Sequence, residues 1–388
     1  MKILQITVFR IVNGYGGGER VFVNMSNHFA QQHQVIDISY DAFDGNTHYP
    51  LDSRVKHIKL GVVCDLKVPF AVKFLTECVR PLKQMGMRLE SPREVFIRKR
   101  YKNVLKKVLE EENPDVVICY DQRTMVAIVE CGYNPKNIIN MFHDSATSIL
   151  KQLDYRQKEI LRKIGAIQVL LNTDKDLLLK KGYNQVECIG NIVPQFENIR
   201  YDNREKKIVC VGRLDRGQKR QHLLVEAFSR IAHQHKDWKL EIYGGNHRPK
   251  DYKERMLRLV EKYGLKDQVF FMGVSNRIPE ILKRASIFAF PSRGEGWGLA
   301  LTEAMSSGLP CVGYKNCSAV NELIKDGYNG ILCDDGIESL ANALSELMKD
   351  EAKRLKYGKQ AKKDVEIFSE KNIFDKWDEL IARIAAGC

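Results

Sequence analysis

Four ionisable side chains in the second half of the chain stand at spacings suited to phosphate and sugar-hydroxyl chemistry. Glu295 and Glu303 lie eight positions apart in Pro291-Ser292-Arg293-Gly294-Glu295-Gly296-Trp297-Gly298-Leu299-Ala300-Leu301-Thr302-Glu303. Arg213 and Lys219 lie in Gly212-Arg213-Leu214-Asp215-Arg216-Gly217-Gln218-Lys219. A planar Arg fork and a Lys point charge suit phosphate oxygens in different ways. The carboxylates suit sugar hydroxyls as hydrogen-bond acceptors. Near the N-terminus, Asn13-Gly14-Tyr15-Gly16-Gly17-Gly18-Glu19-Arg20 offers bare backbone at Gly16 and Gly17 that can close on a diphosphate. It is not a dinucleotide fingerprint, because the third glycine would fall at Glu19, and it has no phosphate-loop lysine.

These residues need strands and helix starts to position them. Ser286-Ile287-Phe288-Ala289-Phe290 reads as a buried parallel strand, and Leu299 to Ser307 as a short helix that Gly308 and Pro310 stop. Glu295 then falls in the strand-to-helix loop and Glu303 about one turn inside the helix. The N–H groups near Gly298 and Leu299 favour an anion. Open α/β sheets bind ligands at this place, outside the carboxyl ends of their strands. Apolar runs near 2–8, 35–40, 55–60, 115–120, 137–142 and 166–171 alternate with helical patterns. The alternation restarts at 207–211, 239–243, 268–272, 286–290, 310–314 and 330–333. The polar, aperiodic stretch 192–205 is the natural linker. The expected architecture is α/β, with one Rossmann-like domain over 1–198 and a second over 206–365. The segment 366–388 adds a final helix whose stripe of Phe374, Trp377, Leu380, Ile381 and Ile384 must be buried.

Composition excludes several classes. No apolar run is long enough to span a membrane, and the N-terminal Met1-Lys2-Ile3-Leu4-Gln5-Ile6 reads as a strand rather than a signal peptide. Cys119, Cys210, Cys311 and Cys333 fall inside strand runs, as buried free thiols do in a reducing cytoplasm. No zinc-ligand spacing occurs, so no metal is expected. The net charge of +13 is concentrated: ten basic residues against two acidic ones between Arg80 and Lys107 supply +8. Within that segment Val95, Ile97, Tyr101, Val104, Leu105, Val108 and Leu109 recur at helical spacing. Arg98, Lys99, Arg100, Lys102, Lys106 and Lys107 would decorate the helix, either as a solvated face or as a patch for an anionic membrane surface. A nucleic-acid-binding protein is the rival from another class. It rests on charge alone, without aromatic interleaving or a binding module, and nucleic acid is not the expected partner.

The Gly-Arg-Leu turn with Lys219 six residues after Arg213, the Glu295-to-Glu303 spacing and the N-terminal Gly-Gly-x-Glu-Arg together resemble the signature of the retaining nucleotide-sugar glycosyltransferases of family four, glycosyl transferases group 1. The resemblance extends over the chain in layout and is specific in these motifs. It implies the GT-B fold: two Rossmann-like domains facing a central cleft, with the last helix crossing back onto the first domain. It also implies that His143, at the end of Asn140-Met141-Phe142-His143, touches the donor sugar. By the same resemblance Arg213 and Lys219 hold the diphosphate, Glu303 the ribose, and Glu295 the sugar or its anomeric carbon. Backbone atoms near Val274 would read the base. The implied activity is a metal-independent, cofactor-free hexosyl transfer with retention. The donor would be UDP-linked, with GDP-mannose as the alternative. The acceptor would be a lipid-linked or cell-surface glycan at the cytoplasmic membrane face, or else a small soluble molecule.

Overall fold

The computed structural model describes residues 1–8, 11–14, 16–42, 45, 47–61, 68–85 and 87–387. Its chain separates into two compact units, Met1–Gly190 together with the chain from Phe374 onward, and Asn191–Ile373. Each is built on a parallel sheet. In the first unit the strands are β1 (Lys2–Thr7), β2 (Gln34–Ser39), β3 (Lys56–Lys59), β4 (Val116–Cys119), β5 (Ile138–Met141), β6 (Ala166–Val169) and β7 (Val186–Cys188). Their order in space is β3-β2-β1-β4-β5-β6-β7. In the second unit they are β8 (Lys207–Val211), β9 (Leu214–Asp215), β10 (Lys239–Tyr243), β11 (Asn246–Arg248), β12 (Val269–Gly273), β13 (Ile287–Phe290), β14 (Cys311–Tyr314) and β15 (Gly330–Cys333). Six of these form the sheet β12-β10-β8-β13-β14-β15, and β9 pairs with β11 outside it.

The central strands are apolar on both faces because helices cover both sides: β4, β5, β6, β13 and β14 are buried at every position. In each sheet the order reverses once, between β1 and β4 in the first and between β8 and β13 in the second. At the second reversal Ile287 and Phe288 pair with Ile208 and Val209. The chain diverges there to opposite faces, which opens a crevice at the carboxyl ends of the strands.

The stretch 192–205, expected as a linker, is bonded into the second unit. Val193 N donates to Phe368 O at 2.9 Å, and Arg204 donates to Ala285 O at 2.9 Å and Ser307 O at 2.6 Å. The helix Glu370–Ala385 carries the chain back to the first unit. Phe374 stacks on His28 at 3.6 Å, Asp378 meets the same imidazole at 3.2 Å, and Trp377, Leu380 and Ile381 are buried.

The helix Pro92–Glu112 turns Ile97, Tyr101, Leu105, Val108 and Leu109 into the first core. Its apolar stripe is therefore already covered by the protein's own sheet and helices. Before it lies the helix Phe70–Gln84, which carries Pro81 and leaves Phe70, Phe74, Leu75 and Leu82 exposed.

Candidate active site

The loop after β8 is folded by Asp215, whose Oδ1 accepts from the N–H groups of Gly217 and Gln218, both at 2.8 Å. This aspartate turn presents Gln218, which joins two loops. Its Oε1 accepts from Arg213 Nη2 at 2.7 Å, its Nε2 donates to Gly294 O at 3.1 Å, and its carbonyl accepts from Arg293 N at 2.8 Å. The next residue, Lys219, places Nζ 2.6 Å from Glu295 Oε1 and 4.8 Å from the Phe290 ring centroid. Thus the structure brings Arg213, Lys219 and Glu295 together across the order reversal. Arg213 is exposed, whereas the Lys219 and Glu295 side chains are 16% and 8% exposed. Arg220 anchors the same loop from behind, with Nη1 3.0 and 2.9 Å from the Asp335 carboxylate oxygens and Nε donating to Pro291 O at 3.1 Å.

The helix Leu299–Ser306 begins at Gly298, whose φ of +84° suits a residue without Cβ. Its first intrahelical bonds run from Leu301 and Thr302 to Gly298 O, so the N–H groups of Leu299 and Ala300 point out of the helix end. Glu303 lies one turn further, half-buried. Trp297 is buried and edge-on to Phe368, 4.8 Å between centroids, which fixes the loop that carries Glu295. The loop after β10 comes close as well. A Cβ at Gly244 would sit 2.0 Å from Gly212 O, and one at Gly245 would sit 3.3 Å from Val274 Cγ2. Val274 itself is 82% exposed, on the loop after β12. Glycines at 244 and 245 therefore let three loops converge at the carboxyl edge of the second sheet.

The remaining expected residues belong to the first unit. The helix Gly17–Phe29 starts at Gly16, directly after β1 and its loop. The Glu19 carboxylate folds over Gly16, where a Cβ would come 2.1 Å from Glu19 Oε2. His143 follows β5, half-buried and stacked on Tyr120 at 5.0 Å, and Tyr120 in turn meets Phe22 of the Gly17–Phe29 helix at 4.9 Å. Burial pushes the His143 imidazole down to about 4, so it is neutral at physiological pH. A neutral ring, joined through Tyr120 to the Gly17–Phe29 helix, can exchange hydrogen bonds with a sugar hydroxyl.

Comparison with known proteins bears on these loops. Residues 194–364 match the family model described as glycosyl transferases group 1. The second unit is a group 1 glycosyltransferase domain. The chain is also 26% identical, over 392 residues, to an exopolysaccharide phosphotransferase of Streptomyces coelicolor, covering 96% of this chain and 40% of that protein. It is 25% identical over 383 residues to a Campylobacter jejuni α-1,4-N-acetyl-D-galactosaminyltransferase named for a PP-undecaprenol-linked acceptor, covering 95% and 96%. Among solved structures, a Staphylococcus aureus TarM mutant in complex with fondaparinux, α-GlcNAc-glycerol and UDP aligns with a TM-score of 0.71 at 17% identity, over 98% of this chain and 99% of that one. That likeness gives the fold, GT-B.

Within the group 1 domain, sequence spacing had pointed to Arg213, Lys219, Glu295, Gly298, Leu299 and Glu303. It had not pointed to Gln218, Arg220 or Asp335, which hold the loops. The Asp335 carboxylate is the anchor for Arg220.

The basic patch needs a correction. Arg98 is 4% exposed and lies between two acids, with Nη2 3.0 Å from both Glu90 Oε1 and Glu130 Oε1. A guanidinium buried in this way cannot meet a membrane surface. Lys102 shares Glu130 at 3.4 Å, and Lys106 and Lys107 each pair one turn on, with Glu110 and Glu111, at 3.6 Å. Of the six cations, Lys99, Arg100, Lys106 and Lys107 remain outward, Arg100 lying over the Phe96 ring at 5.2 Å.

Proposed function

We propose that the chain is a retaining, metal-independent transferase that moves a hexose or N-acetylhexosamine from a UDP-sugar to a lipid-linked or cell-surface glycan at the cytoplasmic membrane face. The observation that carries this reading is the convergence of Arg213, Lys219, Glu295 and the Leu299–Ser306 helix start at the order reversal of the second sheet. A diphosphate leaving group gains charge as the glycosidic bond breaks, and fixed cations and N–H dipoles stabilise it more than the intact donor. The acceptor oxygen forms its bond to the anomeric carbon on the face the diphosphate leaves. Its proton passes to a donor phosphate oxygen, so no metal and no enzyme nucleophile is required. Glu303 takes the ribose hydroxyls, Glu295 the sugar or its cationic carbon, and backbone near Val274 the base. Within the first unit, His143 is assigned to a sugar hydroxyl and the backbone at Gly16 and Gly17 to a phosphate.

Two of the similar proteins support the choice of ligands: the TarM structure contains UDP, and the Campylobacter jejuni relative is named for a diphosphoundecaprenol acceptor. Membrane association we assign to the helix Phe70–Gln84 rather than to the helix that follows it. Phe70 and Phe74 are 81% and 58% exposed, Met85 and Met87 follow them, and Lys73, Arg80 and Arg88 lie alongside. Apolar side chains flanked by cations suit an anionic lipid surface. No helix among the described residues is long and apolar enough to cross a membrane.

The test of the donor reading is thermal protection by a panel of nucleoside diphosphates, followed by donor hydrolysis in EDTA. UDP should protect most and EDTA should not slow turnover. Protection by GDP alone would move the donor to GDP-mannose, and no protection by any would remove the reading. For the helix, Phe70→Ser with Phe74→Ser should release the protein from anionic vesicles, and Lys99→Gln with Arg100→Gln should not. The opposite pattern would return the contact to the helix Pro92–Glu112.

A further inference from the structure

The first unit holds a cavity of about 810 Å³ that none of the residues expected for the donor lines. Its wall is formed by the helix Phe70–Gln84 through Thr76, Val79, Arg80 and Lys83, by the starts of the helices Pro92–Glu112 and Gln122–Glu130, and by 151–158. Six cations face it, Arg80, Lys83, Arg93, Arg123, Lys151 and Lys158, against Glu94, Asp121 and Asp154.

Each of the three acids has a partner within the protein, although Asp121 Oδ2 is buried with none. Glu94 makes a two-point pair with Arg123, with Nη2 to Oε1 at 2.9 Å. Asp121 caps its helix by accepting from Arg123 N at 3.0 Å and Thr124 N at 2.9 Å. Asp154 accepts from Gln157 N at 3.0 Å in a capping box. Arg80 pairs with the exposed Glu77 at 2.7 Å, an interaction worth little in solvent. Lys83, Arg93, Lys151 and Lys158 form no ion pair among the described residues. The helix that starts at Pro92 has no side-chain cap at Ser91, which leaves the N–H groups of Arg93 and Glu94 at the positive end of a 21-residue helix.

We infer that this cavity binds the phosphate-bearing end of the acceptor, as a diphosphate or phosphodiester anion. Four cations without ion pairs outnumber the Asp121 and Asp154 carboxylates, whose partners are neutral N–H groups, and a multivalent anion relieves the remaining repulsion while accepting charge-assisted hydrogen bonds. A neutral sugar would leave them uncompensated. The inference rests on the transferase reading only for the word acceptor; the anion site stands on the cavity itself.

The experiment uses the full chain carrying Arg213→Ala and Lys219→Ala, so that phosphate binding at the second unit is removed. Calorimetric titration with inorganic pyrophosphate, geranyl diphosphate and geraniol should show binding of the first two and none of the third. Adding Lys83→Gln, Lys151→Gln and Lys158→Gln should weaken diphosphate binding by about tenfold or more, since each lost contact is charge-assisted. These side chains are exposed or half-buried, so the variant should keep its melting temperature. If geranyl diphosphate binds more tightly than pyrophosphate, the source of the anion is lipid-linked. If the two are equal, a free phosphate ester is the natural ligand. Unchanged pyrophosphate affinity in the triple-Gln variant, or equal binding of geraniol, would overturn the inference. UDP titration of the chain with Arg213 and Lys219 intact reads the donor site separately. Failure there with pyrophosphate binding retained would leave this site standing and remove the donor reading.

Discussion

The Lys219–Glu295 pair offers the sharpest perturbation. Its atoms are 2.6 Å apart, and the two side chains are 16% and 8% exposed. Lys219→Met keeps the aliphatic stem and removes the charge that lies over Phe290, which leaves the Glu295 carboxylate buried without a partner. Breaking such a pair costs about 3 kcal/mol, and for a unit of this size that lowers Tm by about 6–12 °C. Glu295→Gln is milder, at about 1 kcal/mol, because the amide oxygen still accepts from the ammonium and Phe290 still faces it. Combining the two should cost less than their sum, as expected for groups in contact. Nucleoside diphosphate affinity should move the other way. Lys219→Met should weaken UDP about tenfold to a hundredfold, the worth of one charge-assisted bond. Glu295→Gln releases the ammonium from its carboxylate and should leave UDP bound as well as before or better, while transfer is lost. Thermal unfolding and calorimetry on the three variants read both quantities. Equal destabilisation by the single changes, or equal UDP affinity in all variants, would refute the reasoning.

Arg213→Ala should lower turnover by about a hundredfold, the effect of one lost leaving-group donor, with melting unchanged because the side chain is exposed. Glu303→Gln should weaken UDP itself, measured by titration, and if it spares UDP while abolishing transfer, the two glutamates exchange roles. The Asp37 carboxyl is fully buried, and burial raises it from 3.8 to about 7 despite hydrogen bonds from Ser26 and Gln5. The Ser26 hydroxyl lies 2.9 Å from Phe22 O and 2.7 Å from Asp37 Oδ2 and has one proton, so a protonated Asp37 satisfies both oxygens. With the folded value above the unfolded one, stability is full below about pH 4 and is lost as pH rises to about 7, on the order of 4 kcal/mol in all. Asp37→Asn should flatten that decline and raise Tm at pH 8, and parallel melting profiles from pH 4 to 8 would count against it.

The strands were legible because a parallel sheet covered on both faces writes continuous apolar runs into the sequence. The exceptions were β7, a three-residue edge strand with half-buried Glu187 and Cys188, and the short pair β9 and β11, which lies outside the main sheet. The helix Phe70–Gln84 was hidden by its Pro81 and by apolar residues that face solvent instead of forming a core stripe. Spacing also grouped the candidate residues, since Arg213 and Lys219 lie between β8 and the next helix, and Glu295 and Glu303 in the loop and helix that follow β13. What spacing could not carry was partnership across the chain. Lys219 and Glu295 are 76 positions apart, and Arg220 and Asp335 are 115 apart. Arg98 read as surface charge because its burial depends on Glu130, 32 positions on and brought near by helix packing. The stretch 192–205 is irregular in sequence, but its bonds to Ala285, Ser307 and Phe368 place it in the second unit.

The central claim is retaining, metal-free transfer from a UDP-sugar held by the loops after β8 and β13. Proton NMR of the anomeric region during turnover of a UDP-α-hexose in EDTA, with water as the acceptor, tests it most directly. The account predicts that the first free sugar to appear is the α-anomer, formed at the same rate with or without EDTA. A β-anomer appearing first, or turnover that stops in EDTA, would contradict it.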